Sequence, residues 1–264
     1  QYLVIWPRIM ILLATLPILF FIPWPTDPRF YMAVVATGMI VGFADTQTMN
    51  VTRTHGGGVV SRIMPFQIFI IFVVWLALRP EQIAEYMNAP LRSLGVIAAL
   101  TGCVYFSSHM RQCELSGDAF RKLLIPLVGY ALVFVLAKYA FEHSSFHSGV
   151  YYYILIQTLA VLPIMLISAR FAKKDFLKVE RQILFSKTTL KVAVFIFIFW
   201  FLHMIGKNYA NTLTPNPSYV AALVLTSPIW MMLINKATGH PDSGNIKAGV
   251  GLMISAIVLV LLKA

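Results

Sequence analysis

Val59-Val60-Ser61-Arg62-Ile63-Met64-Pro65-Phe66-Gln67-Ile68-Phe69-Ile70-Ile71-Phe72-Val73-Val74-Trp75-Leu76-Ala77-Leu78 carries a single charged residue, Arg62. A run of about twenty predominantly apolar residues is what an α-helix needs to cross the hydrocarbon core of a bilayer. The run lacks the polar-apolar alternation of a membrane barrel strand. It reads as a membrane-spanning helix, and the chain around it repeats the reading. Eight further apolar blocks lie at residues 2–22, 30–49, 91–110, 123–141, 150–169, 190–206, 218–235 and 245–262. Pro and Gly punctuate the breaks, as in Pro23-Trp24-Pro25, His55-Gly56-Gly57-Gly58 and Pro215-Asn216-Pro217. The expectation is an all-α polytopic membrane protein with about nine transmembrane helices.

Composition supports this. Hydrophobic residues make up 59% of the 264, charged residues 12%, and the mean hydropathy is +0.77. A soluble domain carries about a quarter charged residues. The formal net charge of +11 does not point to nucleic acid, because the basic residues sit mainly between apolar blocks. Two cysteines, Cys103 and Cys113, imply no disulfide framework. The first block lacks a small-residue cleavage pattern and does not read as a signal peptide. The longest break, residues 170–187, is basic and holds Leu177, Val179 and Ile183, the pattern of a surface-lying amphipathic helix.

The 59–78 block has a counterpart. Val59-Val60-Ser61-Arg62-Ile63-Met64-Pro65-Phe66 matches Ala222-Leu223-Val224-Leu225-Thr226-Ser227-Pro228-Ile229 in pattern, each with a proline at similar depth. Each is followed by a polar loop and a helix opening with glycine, at Gly95 and Gly249. Each is preceded by an amide-rich helix end, Asp45 to Asn50 and Lys207 to Asn211. Duplicated halves are common in secondary transporters. The predicted halves are residues 1–112 and 121–264, with the Pro65 and Pro228 helices related by a pseudo-two-fold axis. Three blocks precede the Pro228 helix in its half and two precede the Pro65 helix, so a ten-helix fold lacking its first helix is expected.

The residues from Lys207 to Leu262 carry a resemblance: Ala-Asn-Thr, then Leu-Val-Leu-Thr-Ser-Pro-Ile-Trp, then Ala-Gly-Val-Gly-Leu-Met-Ile-Ser. This resembles the C-terminal part of the drug/metabolite transporter superfamily, EamA-like branch, and Pro65 and Gly95 repeat it in the first half. The resemblance implies ten helices in two repeats and transport of a small metabolite. The chain departs from the family where it usually has a Glu after each proline helix. The second half has Gly239-His240-Pro241-Asp242 there, and the first has Arg79-Pro80-Glu81 before a longer loop.

Ionisable residues inside apolar blocks are the sharpest clues, since each costs at least about 2.5 kcal/mol at the bilayer centre. Asp45, Arg62, Lys138 and Lys207 qualify, and Trp200, His203 and Lys207 share one helical face. Arg62 suits a carboxylate or phosphate partner, and Asp45 suits proton uptake and release. Pro65 and Pro228 each remove a backbone hydrogen bond and can turn a carbonyl into a cavity. Arg62 and Lys207 are expected to face a common cavity with Asp45 nearby. The alternative for Asp45, Lys138 and Lys207 is snorkelling into headgroups. Trp200 and the tyrosines 151–153 fit an interfacial belt. His143 and His147 read as loop residues rather than a metal site. No P-loop is present, so ATP does not drive the chain directly and no cofactor is expected.

The breaks alternate between two faces, and the face holding Arg53, Arg111, residues 170–187, Lys236 and Lys247 is richer in Lys and Arg. That face is predicted cytoplasmic, placing Ala264 outside; the family resemblance instead places the C-terminus inside. The expected function is secondary transport of an amino acid or amphipathic solute by alternating access in a membrane, with a bacterial inner membrane as the expected location. The alternatives are a membrane enzyme on lipid-linked substrates and a non-transporting scaffold. The expected partners are the solute, the lipid bilayer and coupling protons; a homodimer is compatible with the chain, and no enzyme activity, metal or nucleic acid is expected.

Overall fold

A computed structural model describes residues 2–110, 117–172, 186–239 and 244–262. Among these there is no β-strand, and all nine apolar blocks lie on helices. The helices are α1 (Tyr2–Thr15), α2 (Pro28–His55), α3 (Gly57–Ile63), α4 (Gln67–Leu78), α5 (Pro80–Asn88) and α6 (Pro90–His109). They continue with α7 (Gly117–Glu142), α8 (Phe146–Ala172), α9 (Lys187–Leu213), α10 (Pro217–Val224), α11 (Ser227–Ala237) and α12 (Ile246–Leu261). Six segments among the described residues are long and apolar enough to cross a membrane: Gly57–Leu78, Pro90–His109, Gly117–Glu142, Phe146–Ser168, Lys187–Leu213 and Pro217–Ile234. Two shorter apolar segments, Ile5–Phe20 and Ile246–Leu261, accompany them. The chain is therefore a helical integral membrane protein. The second block lies on the 28-residue α2, whose last turns carry polar residues from Asp45 to His55.

The chain forms two compact units, Gln1–Met49 with Leu136–Leu213, and Asn50–Val135 with Thr214–Ala264. Each draws from both halves of the sequence, and α2 and α7 contribute residues to both. In the first unit, α1, α8, α9 and the start of α2 enclose a core that includes Ile11, Phe30, Val34, Tyr152, Tyr153 and Met204. Glycines let α2 lie directly on α8. A Cβ at Gly38 would sit 2.5 Å from the Cβ of Ala160, and one at Gly42 would sit 2.9 Å from that of Ile164. The two numberings rise together, so α2 and α8 run parallel. The Pro23-Trp24-Pro25 loop is tied to the start of α8: Ser148 Oγ donates to the Pro23 carbonyl and Tyr152 Oη to that of Ile22, each at 2.7 Å.

In the second unit, α6 and α12 are the most extensively paired helices. A Cβ at Gly95 would meet Leu262, one at Gly102 would meet Ser255, and one at Gly251 would meet Phe106. One numbering falls as the other rises, so these helices run antiparallel. Small residues at such contacts allow close backbone approach, which drives helix association where lipid removes the hydrophobic incentive.

Two parts differ from the sequence reading. The stretch after Arg79, read as a loop, is the helix α5. Pro80 opens it, where a missing N–H costs nothing, and Glu81 sits in its first turn against the positive helix end. Tyr152 and Tyr153, read as belt residues, are fully buried. Their hydroxyls are satisfied inside the protein, Tyr152 on the Ile22 carbonyl and Tyr153 by the Gln157 amide at 3.0 Å. Most of the basic segment and the His240-Pro241-Asp242 part of the second-half loop lie outside the described residues.

Candidate functional site

The first unit buries an ion pair. Arg8, on α1 immediately after Pro7, is 2% exposed. Its Nη2 donates to Asp45 Oδ2 on α2 at 3.1 Å. The Arg8 guanidinium carbon lies 4.2 Å from the ring centroid of Trp200 on α9. A cation over an indole face is stabilised by about 0.5–2 kcal/mol, most where water is excluded. Seven residues along α9 from Trp200, and so on the same helical face, stands the half-buried Lys207. It lies within electrostatic reach of both Arg8 and Asp45. Tyr153 of α8 lies within electrostatic reach of Arg8 as well.

Three helices, α1, α2 and α9, thus bring two cations and one carboxylate together in an apolar unit. Removing one partner of a buried ion pair costs about 3–5 kcal/mol, and a hydrophobic replacement of both is often no less stable. Stability alone therefore gives little reason to keep such a group, whereas a site for a polar ligand does. One residue after Lys207 in the chain, and on a different side of α9, the Asn208 side chain is fully buried, and neither its Oδ1 nor its Nδ2 has a hydrogen-bond partner among the described residues. Leaving such an amide unmatched costs about 1–3 kcal/mol per group.

The structure brings Asp45, Trp200 and Lys207 together and adds Arg8. His203 is exposed on α9, within electrostatic reach of Lys207. Arg62, Pro65 and Pro228 belong to the second unit. Arg62 is half-buried in the last turn of α3. Pro65 is buried in a 3₁₀ turn, Met64–Phe66, that separates α3 from α4. Pro228 sits in the first turn of α11, after a turn at residues 225–226 that ends α10. Both proline-bearing spans are therefore discontinuous, because proline supplies no N–H and crowds the preceding turn.

Lys138 belongs to the first unit. It is 7% exposed, and its Nζ donates to the Thr212 carbonyl in the last turn of α9 at 3.0 Å. His143 Nδ1 lies 2.8 Å from the Tyr139 carbonyl and His147 Nδ1 lies 3.0 Å from Tyr209 Oη. Arg8 escaped the sequence reading as a site residue. The signal was available: it is a charge inside an apolar block, subject to the same cost as Arg62. Its partner, however, is 37 residues away, and no periodicity points there. No protein-family model matches the chain, and no curated protein matches it.

Proposed function

We propose that this protein is a secondary transporter that moves a small polar or amphipathic metabolite across a membrane by alternating access. The observation that carries the reading is the Arg8–Asp45 pair with Lys207, a charged cluster held within apolar helices. In membrane proteins such groups mark substrate or ion pathways. The two interrupted spans support the reading, since paired Pro-interrupted helices in corresponding positions of two halves are a feature of transporter sites. The helix directions support it too. If the apolar blocks cross in alternation, α2 and α8 are the second and sixth crossings and run parallel, while α6 and α12 are the fourth and ninth and run antiparallel. Both relations are found. Membership of the EamA-like branch, a two-repeat ten-helix fold and a bacterial inner membrane are part of the same proposal.

The test is flux. Purified protein is reconstituted into liposomes loaded in turn with labelled amino acids, organic acids, sugars and organic cations, and efflux is compared with protein-free vesicles. Saturable, counterflow-competent movement of at least one solute is expected, and Arg62→Gln and Arg8→Gln should each reduce it tenfold or more at equal insertion. Leak rates equal to those of empty vesicles for the whole panel would remove the proposal.

A further inference from the structure

We propose that α5 is an in-plane helix seated in the membrane interface, with Ile83 and Met87 in the acyl boundary of one leaflet and Glu81 and Glu85 facing water. The partner is the lipid surface itself, and the inference stands apart from the transporter reading.

Position comes first. α4 ends at Leu78 and α6 begins at Pro90, and both belong to segments long and apolar enough to cross a membrane. α5 fills the interval between them, Pro80–Asn88. A nine-residue helix measures about 13 Å, less than half of the roughly 30 Å of hydrocarbon that a crossing must cover. Arg79 and Ala89 flank it with non-helical backbone, at φ −129°, ψ 71° and φ −129°, ψ 69°, so the chain turns at both ends. The last turn of α5 is tied back to the first turn of α6 by Ser93 Oγ, which donates to the Tyr86 carbonyl. The helix therefore lies where one span stops and the next starts, at the edge of the bilayer.

The sides of the helix come second. Successive residues turn by about 100° around the axis, which divides α5 into three sides. Gln82 and Tyr86 share the side that faces the protein. Gln82 Nε2 donates to the Pro215 carbonyl at 3.0 Å, and the Tyr86 hydroxyl meets that of Tyr219 at 2.7 Å. Ile83 and Met87 share the next side, about 100° round. They are 41% and 76% exposed. Glu81 and Glu85 share the third, about 160° from the apolar pair, and are exposed too. A helix lying flat on a bilayer needs an apolar side below and a charged side above. Here the remaining side is fixed against the protein.

The occupant comes third. Leu78, at the end of α4, and Leu91 and Leu94, at the start of α6, are exposed as well. Exposed apolar side chains on the ends of membrane spans meet lipid, so Ile83 and Met87 fall between two lipid-facing stretches. α5 holds two carboxylates and no Lys or Arg, so anionic headgroups do not draw it in. Apolar burial and the covalent tie to two spans hold it there. Its outer strip, about 13 Å long and about 10 Å wide, is far below the roughly 800 Å² per partner of a stable protein interface. Lipid fits it, and a second protein does not.

The experiment uses the full chain carrying Cys113→Ser, reconstituted into phosphatidylcholine liposomes. Glu81→Cys, Ile83→Cys, Ala84→Cys, Glu85→Cys and Met87→Cys are introduced singly and spin-labelled. Val73→Cys, at an exposed position on α4, is the lipid reference. Cys103 is buried, and the parent without an introduced cysteine measures its background. The readout is the ratio of collisions with oxygen, which concentrates in lipid, to those with a nickel chelate, which stays in water. The ratio at positions 83 and 87 is expected to exceed that at 81 and 85 at least fivefold and to approach that at 73. Ala84→Cys lies on the apolar side and stands in for either variant that fails to insert. Equal ratios on the two sides overturn the proposal, whether both sides are wet or both lie in hydrocarbon. Low access of both reagents at 83 and 87 would show a protein covering that side, and spin–spin broadening would identify it as a second copy. Either result overturns the proposal as well.

Discussion

The Lys138 ammonium donates to the carbonyl oxygen of Thr212, 74 residues further along the chain, at 3.0 Å. The last carbonyls of a helix have no intrahelical partner, and a cation there satisfies one and opposes the negative helix end. Lys138 thus fastens the end of α9 to α7 inside the first unit. Lys138→Met keeps the length of the side chain and removes the donor. It is expected to lower stability by about 1–3 kcal/mol, the cost of a buried unmatched acceptor. Thermal unfolding in detergent measures this. Flux per correctly inserted molecule should stay within twofold of wild type. A flux loss larger than the loss of folded protein would give Lys138 a role in transport instead.

Two glycines in the first unit should respond oppositely to one methyl group. At Gly38 a Cβ would lie 2.5 Å from the Ala160 Cβ and 3.0 Å from the Gln157 carbonyl oxygen, part of a helix backbone that cannot rotate away. Gly38→Ala is expected to cost about 1–3 kcal/mol by overpacking. At Gly206, on α9, no atom of the described residues beyond its own helix backbone lies within 4 Å of the new one. Gly206→Ala should be neutral or stabilising by up to about 1 kcal/mol, because alanine fixes a helix at less entropic cost. Equal melting temperatures for the two variants would contradict the close α2–α8 contact.

These positions show what the sequence discloses. Blocks such as 59–78 and 123–141 are legible because a membrane span imposes length and hydropathy on consecutive residues. Pro65 and Pro228 are legible as interruptions because proline acts on its own turn. The helix α5 is not, because nine residues are too few for a periodicity to stand out beside the apolar spans. Nor are the pairings Arg8 with Asp45 and Lys138 with Thr212. Each is set by how helices pack, and only the cost of the isolated charge marks one end of it. The burial of Tyr152 and Tyr153 is hidden for the same reason: a tyrosine near a helix end suits a lipid interface until its hydroxyl finds a partner within the protein.

In the second unit the hydroxyls of Tyr86 on α5 and Tyr219 on α10 meet at 2.7 Å. Nearby, Trp75 Nε1 and Gln82 Nε2 both donate to the Pro215 carbonyl, at 2.9 and 3.0 Å. These contacts hold the short helix against the start of the Pro228 span. Tyr86→Phe preserves the edge contact with Phe72, whose ring centroid is 5.7 Å away, and removes only the hydroxyl. A loss of about 0.5–1.5 kcal/mol is expected. The double variant Tyr86→Phe/Tyr219→Phe should cost less than the sum of the singles. Strict additivity in that cycle would mean the two hydroxyls do not interact.

The interrupted spans lead to the last prediction. Restoring an N–H at position 65 lets that residue donate to the Ser61 carbonyl, four residues back, and at position 228 to that of Val224. Pro65→Ala and Pro228→Ala should therefore make the α3–α4 and α10–α11 spans more continuous, and helix propensity favours the change by up to about 3 kcal/mol per site where proline has no compensating role. Hydrogen exchange should slow at residues flanking each site. If the breaks serve transport, stability and flux will move in opposite directions: each variant should insert and melt at or above the wild-type temperature, yet carry solute tenfold or more slowly. Purely structural prolines would give the other pattern, with flux per folded molecule unchanged in both variants. A loss confined to one of the two would speak against the proposed repeat, in which matching positions for Pro65 and Pro228 predict matching effects.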